Sequence, residues 1–182
     1  MVRRIVLLLL VAGGCVGCDQ LTKGIARDTL SERGPVSYFG DAIRFQYEEN
    51  SGAMLSVGAG LPEGVRTLLL TGVVGVMLCG FALFALLNQH LARGQVFAFA
   101  LLVGGGLGNL MDRLMHNGVV IDFLIVGVGP VRTAVFNLAD VVIMAGVLML
   151  LLFSITRRAE PLAPGTAVGP VSIRDDRSQP TS

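Results

Sequence analysis

Long runs of uncharged, apolar residues restrict the fold of this chain more than any other feature. The cleanest run covers residues 67–87, and residues 133–156 form another that carries a single charge. A Gly-rich run covers residues 94–111, and a first segment, residues 5–26, reaches a similar length only by including charged residues in its second half. An α-helix needs about 20 largely apolar residues to cross ~30 Å of hydrocarbon. The sequence therefore predicts an all-α membrane protein with four transmembrane helices.

The composition supports a membrane protein and argues against a nucleic-acid-binding one. Of the 182 residues, 53% are hydrophobic and only 15% are charged, whereas a soluble domain has roughly 25% charged residues. The formal net charge is +1, so there is no broad basic surface to hold nucleic acid. The length suits one domain, which we place at residues 1–158.

Basic residues at the ends of the predicted spans set their expected orientation. With four spans, one side of the membrane receives Arg3, Arg4, Arg93, Arg157 and Arg158. By the positive-inside rule, this distribution predicts that both termini are cytoplasmic. The long segment between the first two spans is then periplasmic.

Two segments outside the spans have patterns of their own. Ile43, Phe45 and Tyr47 alternate with polar residues, which is the period of a half-buried strand, and the preceding "VSYF" is a candidate hairpin partner. We therefore expect a small periplasmic β-sheet at about residues 35–60. Residues 159–182 are rich in Pro, Gly, Ser and charge, which predicts a disordered cytoplasmic tail.

Two acidic residues lie where acids are rare. Asp140 falls about seven residues into the predicted fourth span, roughly 10 Å from its outer end at 1.5 Å per residue. Asn137 precedes it by three residues and shares its helix face. Asp122 lies in the apolar stretch "GVVIDFLIVG", in the loop before that span. An ionisable group in a membrane span is costly and is by default a candidate functional residue.

Asp122 and Asp140 could form a catalytic pair. Two adjacent carboxylates cannot both ionise easily, so one keeps a proton and the other serves as a base. Such a pair can activate a water molecule and protonate the scissile group, with no metal, cofactor or covalent nucleophile needed. The residues alone leave two alternatives open: a structural hydrogen bond or ion pair inside the bundle, and a proton or ion path.

Other polar residues in the spans have structural interpretations. Asp19 and Lys23 are four residues apart, so they can form an intrahelical ion pair. Asp112, at the end of the third span, is an expected interfacial anchor. The glycines at 104, 105, 106 and 108 favour close helix packing over a dinucleotide loop, which would need a strand–helix context.

Five segments, taken together and in order, resemble the lipoprotein signal peptidase (signal peptidase II) family. They are "DQLTK" at 19–23, "NSGAMLS" at 50–56, "GGGLGNLMDR" at 104–113, "GVVIDF" at 118–123 and "FNLAD" at 136–140. The combination is specific, although each segment alone is weak. Met54 and Leu55 depart from the small or aromatic residues that are frequent in the family, which affects the expected fit of the substrate and not the reaction.

The resemblance implies an aspartic endopeptidase of the bacterial inner membrane with Asp122 and Asp140 as its dyad. It implies a substrate, a prolipoprotein whose cysteine already carries diacylglycerol, and cleavage just before that cysteine. It also implies contact with membrane lipids and inhibition by globomycin-type cyclic peptides. The polar positions around the dyad would be Asn50, Gly52, Asn109, Arg113 and Asn137.

The sequence is also compatible with two other functions and with one alternative processing event. A small transporter or proton channel would use the same two acids as carriers, and a non-catalytic lipoprotein-binding factor would share the fold. The start of the chain, with Arg3, Arg4, a leucine run and "CVGC", also resembles a cleavable lipoprotein signal. Because "DQLTK" follows directly, we expect this segment to be retained as the first span.

Overall fold

Four long helices make up most of the protein. The computed structural model describes residues 1–52 and 60–158, and the predicted tail and the departures at Met54 and Leu55 lie outside them. Each helix contains a stretch long and apolar enough to cross a membrane, which confirms the predicted helical membrane architecture. The helices are α1 (Val2–Leu30), α2 (Glu63–Leu87), α3 (Arg93–Met115) and α4 (Leu138–Arg158).

Helix α3 packs against all three other helices because glycines on it remove the side chains that would separate them. A Cβ atom added to Gly104 would lie 2.8 Å from the Cα atom of Ala12 in α1. One added to Gly105 would lie 2.6 Å from the carbonyl oxygen of Ala139 in α4. Small residues of this kind allow close backbone approach between membrane helices. They bring the polar residues of α1, α3 and α4 within hydrogen-bonding range.

A four-stranded antiparallel sheet covers one end of the helices, in the order β1 (Val36–Tyr38), β2 (Ile43–Asn50), β3 (Val120–Val128) and β4 (Val131–Arg132). The hairpin expected between α1 and α2 is present as β1 and β2. The sheet was expected within residues 35–60, however, and β3 and β4 lie outside that range. The stretch around Asp122, predicted to be a loop, is the strand paired with β2. Its β-branched and apolar residues are buried from Val120 to Phe123, which favours a strand in the sheet interior.

The fourth helix begins later than the sequence predicted. Residues 133–136 are extended and pair with β3, since the backbone N–H of Phe136 donates to Leu124 (2.9 Å) and that of Thr133 donates to Val126 (2.8 Å). The helix therefore starts at Leu138 and not at residue 133. Asp140 consequently lies in the first helical turn, and the expected depth of roughly 10 Å within the helix is wrong.

The two ends of the helical bundle differ in character. At one end, the Arg4 side chain donates to the carbonyl oxygens of Asn88 (2.5 Å) and Leu91 (2.8 Å), which places the start of α1 beside the α2–α3 connection. At the other end, α3 leads into β3 and the extended segment after β4 leads into α4. The sheet and both candidate acids therefore lie at the end opposite the amino terminus.

Candidate active site

Asp122 projects from β3 into a nearly closed polar environment. Asp122 is only 3% exposed. The carboxylate accepts hydrogen bonds from the side-chain amides of Asn137 (2.7 Å) and Asn50 (3.0 Å). Burial raises the pKa of Asp122 to about 6, and the nearby Asp140 carboxylate acts in the same direction, although the two amide donors oppose the rise. Asp122 is thus poised to exchange a proton near neutral pH.

Asp140 is held by the start of α4. The backbone N–H of Asp140 donates to Asn137 Oδ1 (3.0 Å), and the backbone N–H of Asn137 donates to Asp140 Oδ2 (3.2 Å). This reciprocal pair is a capping box. The other carboxylate oxygen accepts from the Asn109 side-chain amide at 2.9 Å. Asn137 therefore contacts both acids, one through its side chain and the other through its backbone.

The remaining predicted site residues meet at the edge of the same site. An Nη atom of Arg113 donates to the carbonyl oxygen of Gly52 (2.9 Å), and the N–H of Gly52 donates to Asn50 Oδ1 (2.9 Å). Because its Oδ1 is occupied in this way, the Asn50 amide presents its nitrogen to Asp122. All five residues predicted around the acids lie within this hydrogen-bonded assembly.

A cavity of about 650 Å³ opens beside the two acids. One wall is polar and contains both carboxylates with Asn50 and Arg113. The other wall is apolar, and sequence reasoning did not identify it. The sequence pattern that could have revealed this wall is the spacing of apolar residues along one face of α4 after Asp140. The apolar residues that α4 contributes are Val141, Met144, Ala145 and Leu148.

A buried ion cluster lies beneath the acids. The Lys23 Nζ atom lies 2.7 Å from Asp19 and 2.9 Å from Asp112, and it also donates to Asn109 Oδ1 at 2.9 Å. The intrahelical pair expected from the sequence is therefore present. Asp112, expected as an interfacial anchor at the end of α3, is fully buried within the protein, and Lys23 neutralises part of its charge. Sequence reasoning also missed Gln20, whose side chain donates to Asp112 at 2.7 Å.

Comparison with known proteins places this chain among membrane peptidases. A family model described as "Signal peptidase (SPase) II" matches residues 10–156. A lipoprotein signal peptidase of Azoarcus sp. strain BH72 is 39% identical over 146 residues, which is 79% of each chain. Another, from Leifsonia xyli subsp. xyli, is 35% identical over 156 residues, which is 83% of this chain and 68% of the relative.

Two solved structures share the fold. Both are described as bacterial membrane enzymes. The first superposes with a TM-score of 0.76 at 21% identity, and the match covers 87% of this chain and 93% of the chain in that structure. The second has a TM-score of 0.71 at 24% identity, with coverages of 81% and 92%. The arrangement of four helices capped by a sheet is therefore one that bacterial membrane enzymes adopt.

Proposed function

The chain belongs to the signal peptidase II family, and from that premise we propose that it is an aspartic endopeptidase whose catalytic pair is Asp122 and Asp140. Proteins of this family are multi-pass enzymes of the bacterial inner membrane that remove signal peptides from prolipoproteins. The proposed substrate is a diacylglyceryl-modified prolipoprotein, and the bond cut is the one before the lipid-bearing cysteine. The observation that carries the proposal is the meeting of two acids, through Asn137, at one cavity.

The proposed chemistry needs one proton shared by the two acids. The ionised carboxylate takes a proton from a water molecule, which attacks the scissile carbonyl carbon, while the protonated carboxyl donates to the carbonyl oxygen. The carboxylate that gave up its proton then takes one from a hydroxyl of the resulting diol, the C–N bond breaks, and the carboxyl that took the water proton gives it to the leaving nitrogen. Like charges in close proximity favour this singly protonated state. The raised pKa of Asp122 supports it.

The shape of the cavity suits a substrate that stays in the bilayer. Its apolar wall runs along α4, and its polar wall lies where α4 begins. An apolar signal segment or a lipid chain can lie against the first wall while the peptide bond reaches the acids. Water exclusion by the bound substrate strengthens the electrostatic interactions in the site. We also propose this cavity as the site for globomycin-type cyclic peptides and as a point of contact with membrane lipids.

The decisive experiment is a cleavage assay with purified protein in detergent. The substrate is a diacylglyceryl-modified prolipoprotein, and mass spectrometry measures release of the signal peptide. Asp122→Asn and Asp140→Asn keep the side-chain size and remove the acid–base function, so each should lower kcat by about 10³-fold. The matched control is Asp28→Asn, since the Asp28 side chain is 77% exposed and should leave kcat unchanged.

Four outcomes would contradict the proposal in different ways. Cleavage that persists in both dyad variants would rule out the aspartic mechanism. Absence of cleavage by the wild type, with a substrate that another signal peptidase II processes, would rule out the activity. Ion flux in liposomes that depends on both acids, without cleavage, would favour a transporter, and substrate binding without cleavage would favour a lipoprotein-binding factor.

A further inference from the structure

Each proposed catalytic acid is preceded by a residue whose backbone N–H donates to a buried carboxylate. Asp112 Oδ2 accepts a hydrogen bond from the N–H of Ile121 at 3.0 Å, one residue before Asp122. Asp19 Oδ1 accepts one from the N–H of Ala139 at 2.9 Å, one residue before Asp140. The first bond joins α3 to β3, and the second joins α1 to α4. The same kind of contact thus recurs at both acids from two different helices.

Lys23 connects the two carboxylates. Its Nζ atom lies between them, at 2.7 Å from Asp19 and 2.9 Å from Asp112. Lys23 is 1% exposed and both carboxylates are fully buried, so solvent and salt screen these interactions very little. A charged group buried in this way moves only at a large energetic cost. The distance between the two tethered backbone segments is therefore fixed through a single ammonium group.

The position of each tether gives it a direct influence on the acid that follows. Consecutive Cα atoms are 3.8 Å apart across a rigid peptide plane, so a shift of Ile121 is passed on to Asp122. A misplacement of about 1 Å in a catalytic constellation can reduce the rate by about 10²-fold. A water molecule shared by two carboxylates requires both to be correctly placed at once.

We propose that Asp112 and Asp19, joined by Lys23, are positioning residues that set the separation and aim of the Asp122/Asp140 pair. The inference rests on the proposed function, because it assigns a role toward that reaction. Neither carboxylate lines the cavity, so they act through the backbone and not on the substrate. An ion cluster that served only the fold would not need to accept hydrogen bonds from the backbone N–H groups of Ile121 and Ala139.

Asp112 offers the cleanest test because one of its oxygens serves both partners. Oδ2 accepts from Ile121 and lies near Lys23, whereas Oδ1 accepts from Gln20. In Asp112→Asn, the amide oxygen can keep the Ile121 tether, and Gln20 can rotate its own amide. In Asp112→Ala the tether is lost. We expect the Ala variant to lower kcat by about 10- to 100-fold, with KM changed by less than about threefold, and the Asn variant to recover most of kcat.

A second measurement reads the tether without using activity. Hydrogen exchange of the peptide containing Ile121 should be faster in Asp112→Ala than in the wild type and in Asp112→Asn. Leu8→Ala serves as the stability control, since Leu8 is 7% exposed and packs in a separate apolar cluster with Ala85 of α2 and Ala100 of α3. It should lower Tm while leaving both kcat and the exchange of the Ile121 peptide unchanged.

The outcomes separate this inference from the proposed function. If the wild type fails to cleave, the proposed function fails, while the exchange measurement still tests the tether. If the wild type cleaves and Asp112→Ala keeps its kcat despite a lower Tm, the positioning role is overturned. If Asp112→Asn is folded yet as slow as the Ala variant, activity depends on the charge of Asp112 and not on its hydrogen bond to Ile121. That outcome also overturns the positioning role. A misfolded Ala variant leaves the Asn variant as the test, with near-wild-type kcat expected.

Discussion

At the scale of single residues, the site depends on the orientation of side-chain amides. Asn109 accepts from Lys23 and from Asn137 through Oδ1, so its nitrogen must point to Asp140. Asn50 accepts from Gly52, so its nitrogen points to Asp122. Either of these half-buried amides, if it rotated, would place an oxygen against a carboxylate, at a cost comparable to a lost hydrogen bond. Each acid is therefore supplied with donors by residues whose orientation is already determined.

The raised pKa of Asp122 makes its contribution to stability depend on pH. The folded-state pKa is about 6, above the ordinary value of 3.8, so the folded protein holds this proton more tightly than the unfolded chain does. The stabilisation is fully present below about pH 4 and is lost as the pH rises through 6. Asp122→Asn has no such loss. The difference in Tm, variant minus wild type, should increase from pH 4 to pH 6 and then level off, as measured by thermal unfolding in detergent.

Asp41 provides a control of opposite sign. Hydrogen bonds from Arg44 and from Ser37 lower the pKa of Asp41 to about 2, so its stabilisation is present above about pH 4 and is lost as the pH falls through 2. Asp41→Asn should therefore lower Tm at neutral pH, with a deficit that shrinks in acid. A Tm difference for Asp122→Asn that is constant from pH 4 to pH 8 would show that Asp122 does not titrate as proposed.

At the scale of elements, the site exists because helices approach one another closely at α3. Gly105 faces the carbonyl oxygen of Ala139, and an added Cβ atom would lie 2.6 Å from it. That oxygen belongs to the backbone, so it cannot move aside without shifting the start of α4. Gly108 likewise faces Asp19, whose Oδ2 would lie 2.6 Å from an added Cβ atom. The Gly-rich stretch thus serves the packing of the polar cluster as well as that of the helices.

Gly105→Ala should damage both stability and activity. The added methyl group would push α4 away from α3 and so displace Asp140, which follows Ala139 directly. Overpacking of this kind costs about 1–3 kcal/mol in unfolding free energy. We also expect kcat to fall by at least 10-fold, on the order of what a 1 Å displacement costs. Thermal unfolding and the cleavage assay measure the two effects.

The matched control is Gly80→Ala in α2, where an added Cβ atom meets nothing within 4 Å. This substitution should leave kcat unchanged and stabilise the helix by about 0.5–1 kcal/mol, because alanine loses less backbone entropy than glycine. Equal activity in the two variants would mean that the start of α4 tolerates movement, and the close α3–α4 contact would then not be required for catalysis.

At the scale of the whole molecule, the sequence predicts what is local and misses what is paired over long distances. The four helices follow from apolar run length, and the proximity of Asn137 to Asp140 follows from their spacing. The β3 strand was missed because its apolar run does not show which segment it pairs with, and its partner β2 lies 70 to 83 residues earlier in the register. The same pairing holds residues 133–136 extended, which delays the start of α4. The contact between Asp112 and Ile121 was equally invisible, because two elements must first pack to form it.

The orientation in the membrane is the remaining whole-molecule prediction. The amino terminus and the α2–α3 connection lie at one end of the bundle with Arg3, Arg4 and Arg93, whereas the sheet and the acids lie at the other end. Basic residues near the ends of membrane spans favour the cytoplasmic side. We therefore predict that both termini are cytoplasmic and that the sheet and the acids face the periplasm.

Single cysteines can test this orientation once the three native cysteines are replaced by alanine. Glu32→Cys lies between α1 and the sheet, and Gln89→Cys lies in the α2–α3 connection; both positions are exposed. In cells with a permeabilised outer membrane, a membrane-impermeant maleimide should label position 32 directly and position 89 only after lysis. The reverse pattern would place the acids on the cytoplasmic side. The lipid-bearing cysteine would then have to be cut there, and the basic ends of the spans would face outward against the positive-inside rule.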